Sequence, residues 1–279
     1  MHRLSIELLR LFSDGTIPAT AVQRLAWAAW EDGWGRGSNL AYRLKQAGSQ
    51  GAYTGNVQRD IFKAAKLAGL TERLPESYDF EVPGPDGIGR QASCFLPHEA
   101  LHRMVSRTGV EQYCLSAAEL AEHTGLGPTL KQWGTHRDVQ MDDVSDVVPI
   151  GTHADGVQYT SSMRAGGAKS IVVMSWNLLA GPAPQRARRI LFCVLRKSNC
   201  CDCGCEGWHT FQAVYSVFGW SMQLLRGELS PATRHDGSAW TRADRAQRMA
   251  ANVRLPKAAL IQVRGDWEWL CQCFRFRRC

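Results

Sequence analysis

Two acidic turns in the second half of the chain carry the first candidate chemistry. Val147-Val148-Pro149-Ile150-Gly151-Thr152-His153-Ala154-Asp155-Gly156 is an apolar run that ends near Asp155. Ala258-Ala259-Leu260-Ile261-Gln262-Val263-Arg264-Gly265-Asp266-Trp267 repeats the pattern and ends near Asp266. Each reads as a buried strand closing on a lone aspartate. Set side by side, two such strands bring two carboxylates to one sheet edge. Hard oxygen ligands of that kind hold Mg²⁺, and a pair of Mg²⁺ ions activates a water or a 3′-hydroxyl for phosphoryl transfer. The same residues also satisfy a simpler reading, with Asp155-Gly156 as a turn and Asp266 as a helix cap.

Three further clusters could bind metal or move protons. His98-Glu99-Ala100-Leu101-His102 matches H-E-x-x-H. On a helix, His98 and His102 share a face and ligate zinc, with Glu99 as general base. Pro97 places the start of the helix at the motif itself, and no third histidine follows at the zincin spacing. Glu119 and Glu122 are the candidate third ligands. The alternative is a helix start with His98 in its first turn. Cys200-Cys201-Asp202-Cys203-Gly204-Cys205, with Trp208-His209 close behind, is dense in soft ligands. Cys201, Cys203, Cys205 and His209 complete a tetrahedral zinc set, with His235 as a further candidate. The alternative is a reduced cysteine-rich loop. Arg234-His235-Asp236-Gly237 reads as a polar turn or a further site. Ala165-Gly166-Gly167-Ala168-Lys169 lacks the spacing of a phosphate-binding loop, and no Gly-x-Ser-x-Gly elbow occurs.

The elements that must position these groups follow from periodicity. Residues 1–74 read as helices. Pro18 opens a run through Ala28 and Trp30 that Gly33 and Gly35 end. Asn56 caps a helix with Val57, Ile61, Ala64, Ala65 and Ala68 on one face. Residues 75–146 read as a linker with short helices, because Pro83-Gly84-Pro85-Asp86-Gly87 is a turn signal. Within it, Ser116 and Glu119 form a capping box, and Gly125 is a stop. From Val147 the pattern turns to strands. Ser170 to Leu179 and Arg189 to Leu195 suit strands buried on both faces. A helix from about Thr210 to Arg226 places Phe211, Val214, Tyr215, Phe218, Met222 and Leu225 on one face. Thr241 and Asp244 start a smaller helix, and a last strand follows Pro256.

Bulk properties bound the partners. The chain has 279 residues, 44% of them hydrophobic, as in a globular protein. A net charge of +7 favours acidic partners such as nucleic acid. The Ile6 to Phe12 run is too short for a secretory signal, and no run is long enough for a membrane span, so a protein that is not secreted is expected, and these features leave a nuclear and a cytoplasmic site both open. The ten cysteines are then expected as thiols or metal ligands rather than disulfides.

The acidic strands resemble the catalytic region of CACTA- and Plavaka-type DNA transposases, over about residues 147–270. Ala154-Asp155-Gly156 stands for the first element, with alanine replacing a glycine, and Leu260 to Trp267 for the second. Cys201 to Trp208, Arg234-His235-Asp236-Gly237 and Gly265-Asp266-Trp267-Glu268-Trp269 also resemble a multicopy protein family of dinoflagellate genomes that is itself similar to those transposases. The resemblance implies an RNase H-like fold with Asp155 and Asp266 as the first two metal-binding acids. It also implies a third acid and a Pro-Cys-x-x-Cys segment, neither of which appears before the chain stops at Cys279.

The reading is therefore an α/β protein: a helical N-terminal region (1–74), a Pro/Gly-rich linker with short helices (75–146), and a mixed sheet flanked by helices (147–279), RNase H-like and truncated at its C-terminus. The expected function is that of a transposase-derived, DNA-binding protein with a partial two-metal site at Asp155 and Asp266, inactive in strand transfer. The alternatives are a zinc metallopeptidase using His98, Glu99 and His102, and a zinc-stabilised interaction module built on Cys201, Cys203, Cys205 and His209. The cofactors are Mg²⁺ for the acidic pair and structural Zn²⁺ for the thiols.

Overall fold

The computed structural model describes residues 3–13, 16–49, 55–68, 76–122, 125–158, 170–181, 188–227, 229–265 and 267–274. The chain forms two compact units that divide near residue 74.

The first unit is helical: α1 (Arg3–Ser13), α2 (Ala19–Glu31), α3 (Asn39–Lys45) and α4 (Val57–Leu67). Three of the four have an identifiable start. Pro18 precedes α2, the Ser38 hydroxyl accepts the Ala41 N–H, and the Asn56 side chain accepts the Arg59 N–H. Ile61, Ala64 and Ala65 bury against Leu9, Val22, Leu40 and Leu44. This is the face of α4 that the sequence periodicity marks.

The second unit is a six-stranded mixed sheet in the order β1-β2-β5-β4-β3-β6. The strands are β1 (Tyr78–Pro83), β2 (Gly89–Cys94), β3 (Val147–Gln158), β4 (Ser170–Leu178), β5 (Arg189–Arg196) and β6 (Lys257–Gly265). All neighbours are antiparallel except β3 and β6, which run parallel from Val147 opposite Lys257 to Ala154 opposite Gly265. Between β2 and β3 lie α5 (Pro97–Thr108), α6 (Ala117–Ala121) and α7 (Leu126–Gly134). Helices α8 (Trp208–Leu224) and α9 (Arg242–Gln247) lie between β5 and β6, and α10 (Trp267–Phe274) follows β6.

Alternation along the strands sets the layers. Ile150, Ala154, Val172, Met174, Trp176, Leu178, Phe192 and Leu195 bury one face against Phe211, Val214, Phe218 and Met222 of α8. Phe192 meets Phe218 edge-to-face at 5.0 Å, and burying each such ring contributes about 1.5–3 kcal/mol. On the opposite face Leu130 of α7 covers only the Val147 and Ala259 end. Among the described residues the rest of that face is open, with Leu191 and Val194 exposed.

Four expectations need correction. Residues 75–146 are not a linker: β1 and β2 form a hairpin on the sheet, and Pro83 to Gly87 is its turn. Tyr78, Phe80 and Val82 point into the core while Asp79 and Glu81 face out. Strand β5 is buried on one face only, because no helix covers the other side of it among the described residues. Strand β3 does not end at Asp155 but pairs with β4 as far as Gln158. Gly125, expected as a stop, adopts φ +77 directly before α7 and starts that helix.

A buried ion pair fastens α5 to the segment behind α9. Glu99 and Arg248, with side chains 3% and 2% exposed, meet at 3.2 Å. Arg248 also donates to the carbonyls of Glu76 and Ser77, and the Met249 N–H donates to Glu99. Removing one partner strands the other charge. Arg248→Met is expected to destabilise the protein by about 3–5 kcal/mol in urea unfolding. The double variant Glu99→Gln/Arg248→Met should lose less than the sum of the single losses, and full additivity would show that the pair is not coupled.

Candidate metal centre

The loop between β5 and α8 gathers the one group of three or more metal-binding side chains found among the described residues. The ligand atoms of Cys201, Cys203, Cys205 and His209 all lie within 4.8 Å of one another. Cys201 Sγ stands 3.1 Å from Cys205 Sγ, and His209 Nδ1 stands 3.3 Å from Cys203 Sγ and 4.0 Å from Cys201 Sγ. A tetrahedral zinc with Zn–S bonds of about 2.3 Å sets ligand separations of roughly 3.5–4 Å. The observed set brackets that value and needs shifts of only tenths of an ångström at its closest pair.

Local backbone geometry explains the convergence. Gly204, Glu206 and Gly207 all have left-handed φ, at +81°, +55° and +83°. This curls a tight C-x-C-x-C segment, which would otherwise be extended, so that its alternate thiols turn to a common centre. Glycine is required at 207, where an added Cβ would lie 3.2 Å from Cys200 Cβ and 3.3 Å from the Phe211 ring. Gly207 then leads into α8, whose second residue is His209.

The loop is also anchored from below. The Cys201 N–H donates to the Thr210 hydroxyl, which donates to the Pro83 carbonyl. The Asp86 N–H in the hairpin turn donates to Asp202. Cys201 is buried and Cys203 exposed, so the centre sits at the protein surface with one thiol rooted in the core. Burial works to raise the Cys205 thiol. Hydrogen bonds from the His209 and Gly207 N–H groups, and with Cys201 and Cys203, outweigh it and bring the thiol down to about 7. Cys203 is raised by its hydrogen bond with Cys205. Cys200 lies outside the set, and burial pushes it up to about 11.

His235 does not join the cluster. Its Nδ1 lies 2.6 Å from the Tyr78 hydroxyl, and Arg234 covers the Tyr78 ring while pairing with Asp244. The Arg234 to Gly237 turn is thus tied to β1 and to the capping box of α9.

The H-E-x-x-H residues are placed on α5, with Pro97 at its start. His98 is 1% exposed, with its Nδ1 2.8 Å from the Ser221 hydroxyl oxygen, which also accepts the backbone N–H of His98. Glu99 is held by Arg248. Glu119 closes the capping box with Ser116. No third ligand groups with His98 and His102 among the described residues.

Asp155 is exposed, opposite Val173 on the open face of the sheet. Asp266 lies outside the described residues. The adjacency of their strands is described up to Ala154 opposite Gly265. Among the described residues no group of three acids surrounds Asp155.

Comparison with models of known protein families, with curated proteins and with solved structures finds no match.

Burial, with Arg248 and His102 nearby, lowers the His98 pKa from 6.5 to about 3. Its neutral form is therefore required for folding. The stability it contributes is complete above pH 6.5 and is lost as pH falls towards 3, because the unfolded chain takes up the proton first. Between pH 7 and 5 the free energy of unfolding should fall with a slope approaching about 1.4 kcal/mol per pH unit from this residue. His98→Gln should flatten that part of the profile. An unchanged slope in the variant would rule out His98 as its source.

Proposed function

We propose that the protein binds a structural zinc ion through Cys201, Cys203, Cys205 and His209, and acts as a non-catalytic binding module whose fold the ion completes. The convergence of the four ligand atoms carries this reading. Three thiolates and one imidazole saturate a tetrahedral ion and leave no open position for water, which is the pattern of a structural centre. The ion would join the β5–α8 loop to the first turn of α8, and through Thr210 to the β1–β2 hairpin. The open face of the sheet remains available to a partner.

Metal analysis of the purified chain tests this directly. One zinc per chain is expected, falling below one tenth of that in Cys203→Ser/His209→Ala, whose two positions are exposed enough to spare the core. Chelation should lower the melting temperature of the wild-type protein and leave the variant unchanged. Full zinc content in the variant would refute the assignment.

A second reading, a nucleic-acid-binding protein of RNase H-like architecture, is favoured by one observation. Three consecutive antiparallel strands, β3, β4 and β5, are followed by α8 and then by β6 parallel to β3. That order agrees with the fold implied by the transposase resemblance. Asp155 on the open face of β3 would be its first acid, Asp266 its second, and Mg²⁺ the ion they share. Mn²⁺ titration followed by paramagnetic broadening tests it. Broadening near Asp155 that disappears in Asp155→Asn is expected, and broadening that ignores the substitution would overturn the assignment.

A further inference from the structure

The helical unit carries a charged feature that neither reading uses. Between α3 and α4 runs a groove of about 530 Å³ lined by Tyr42, Arg43, Gln46, Arg59, Asp60 and Lys63. A second groove of about 700 Å³ lies against the α2–α3 loop and shares Arg43 with the first. Arg36 lines its far part, beside Gly33 and Gly37. Sharing Arg43, the two grooves place Arg36, Arg43, Arg59 and Lys63 along one track of the helical unit, with Asp60 the one carboxylate among its lining residues.

The cations differ in how far they are committed. Asp60 is already engaged by Arg59 at 2.8 Å and by the Gly48 N–H at 2.9 Å. Among the described residues Arg43 makes one hydrogen bond, from Nε to Asn39, and its Nη groups make none. Lys63 is exposed and makes no hydrogen bond or ion pair among the described residues. Lys45, by contrast, is spent elsewhere: it pairs with Glu31 and lies over the rings of Trp27 and Trp30.

Three properties of the track select its ligand. Its length, over two joined grooves, suits an extended polyanion rather than one small anion. Gly33 and Gly37 have φ of +88° and +91° and almost no neighbours where a Cβ would stand, so a ligand can approach the backbone closely. An aromatic ring lines it, that of Tyr42, which is 45% exposed, and flat rings beside cations are the surface on which unpaired bases stack. We infer that the Arg36–Arg43–Arg59–Lys63 track of the helical unit binds the phosphodiester backbone of a single-stranded nucleic acid. The inference does not rest on the zinc reading. It shares its partner class with the RNase H-like reading but assigns the contact to the other unit.

Fluorescence anisotropy of the full chain with a labelled 20-nucleotide single-stranded DNA or RNA tests it, over a salt series. Arg43→Glu/Lys63→Glu should weaken binding at least tenfold, and the slope of log K against log salt should shrink by about 1.4, for two lost phosphate contacts. Arg43→Lys/Lys63→Arg should keep the affinity within about threefold, since the backbone contact reads charge. Circular dichroism confirms that each variant folds. Binding by the wild type that the charge reversal leaves unchanged would overturn the groove assignment while leaving the nucleic-acid reading intact. No binding by the wild type would overturn both. Equal competition by inorganic triphosphate would make the track a small-anion site and overturn its assignment to a nucleic-acid backbone.

Discussion

The hydroxyl of Thr210 is the joint on which the larger unit turns. It is 1% exposed, accepts the Cys201 N–H and donates to the Pro83 carbonyl. Three segments meet at that one oxygen: the cysteine loop and the first turn of α8, which are neighbours in sequence, and the distant end of β1. A hydroxyl satisfies this role because it can donate and accept at once, and two backbone groups buried there would otherwise lack partners. The position of α8 on the sheet, and hence of His209 among the thiols, depends on it.

The polar groups inside this unit work by the same logic. Glu99 with Arg248, His98 with Ser221, and Tyr78 with His235 each bury a group that costs free energy unless paired. Together they tie α5, α8, β1 and the turn around Arg234 into one body. The H-E-x-x-H residues belong to this framework. His98 is bonded to Ser221 through Nδ1 and Glu99 to Arg248 and Met249, so the resemblance of the pentapeptide to a zinc-binding helix reflects residue types that also suit a buried joint.

The two units divide the charge chemistry between them. The larger one concentrates soft ligands in a surface loop and leaves one sheet face bare, with Asp155 on it. The smaller one buries an Ala- and Leu-rich interior and displays its arginines and lysines along grooves. Neither arrangement needs long-range order beyond its own unit.

Local chemistry determined much of this protein. The capping boxes at Ser116 and Thr241, the apolar face of α8, the α4 stripe and the strands from Val147, Ser170, Arg189 and Lys257 are legible because period, caps and breakers act within a few residues. The Cys201, Cys203, Cys205 and His209 set is legible for the same reason, its members being close in sequence. The β1–β2 hairpin was hidden although Tyr78, Phe80 and Val82 alternate with Asp79 and Glu81. The Pro83 to Gly87 turn reads equally as a linker until a sheet edge exists to receive the strands. Only the tertiary structure decided that Glu99 meets Arg248 and His98 meets Ser221. Those partners lie more than a hundred residues apart, and no local pattern records which buried charge will neutralise which. It also decided which sheet face stays open and that Arg36, Arg43, Arg59 and Lys63 share a track. Burial and alignment are properties of packed surfaces, set only when the helices and strands have met.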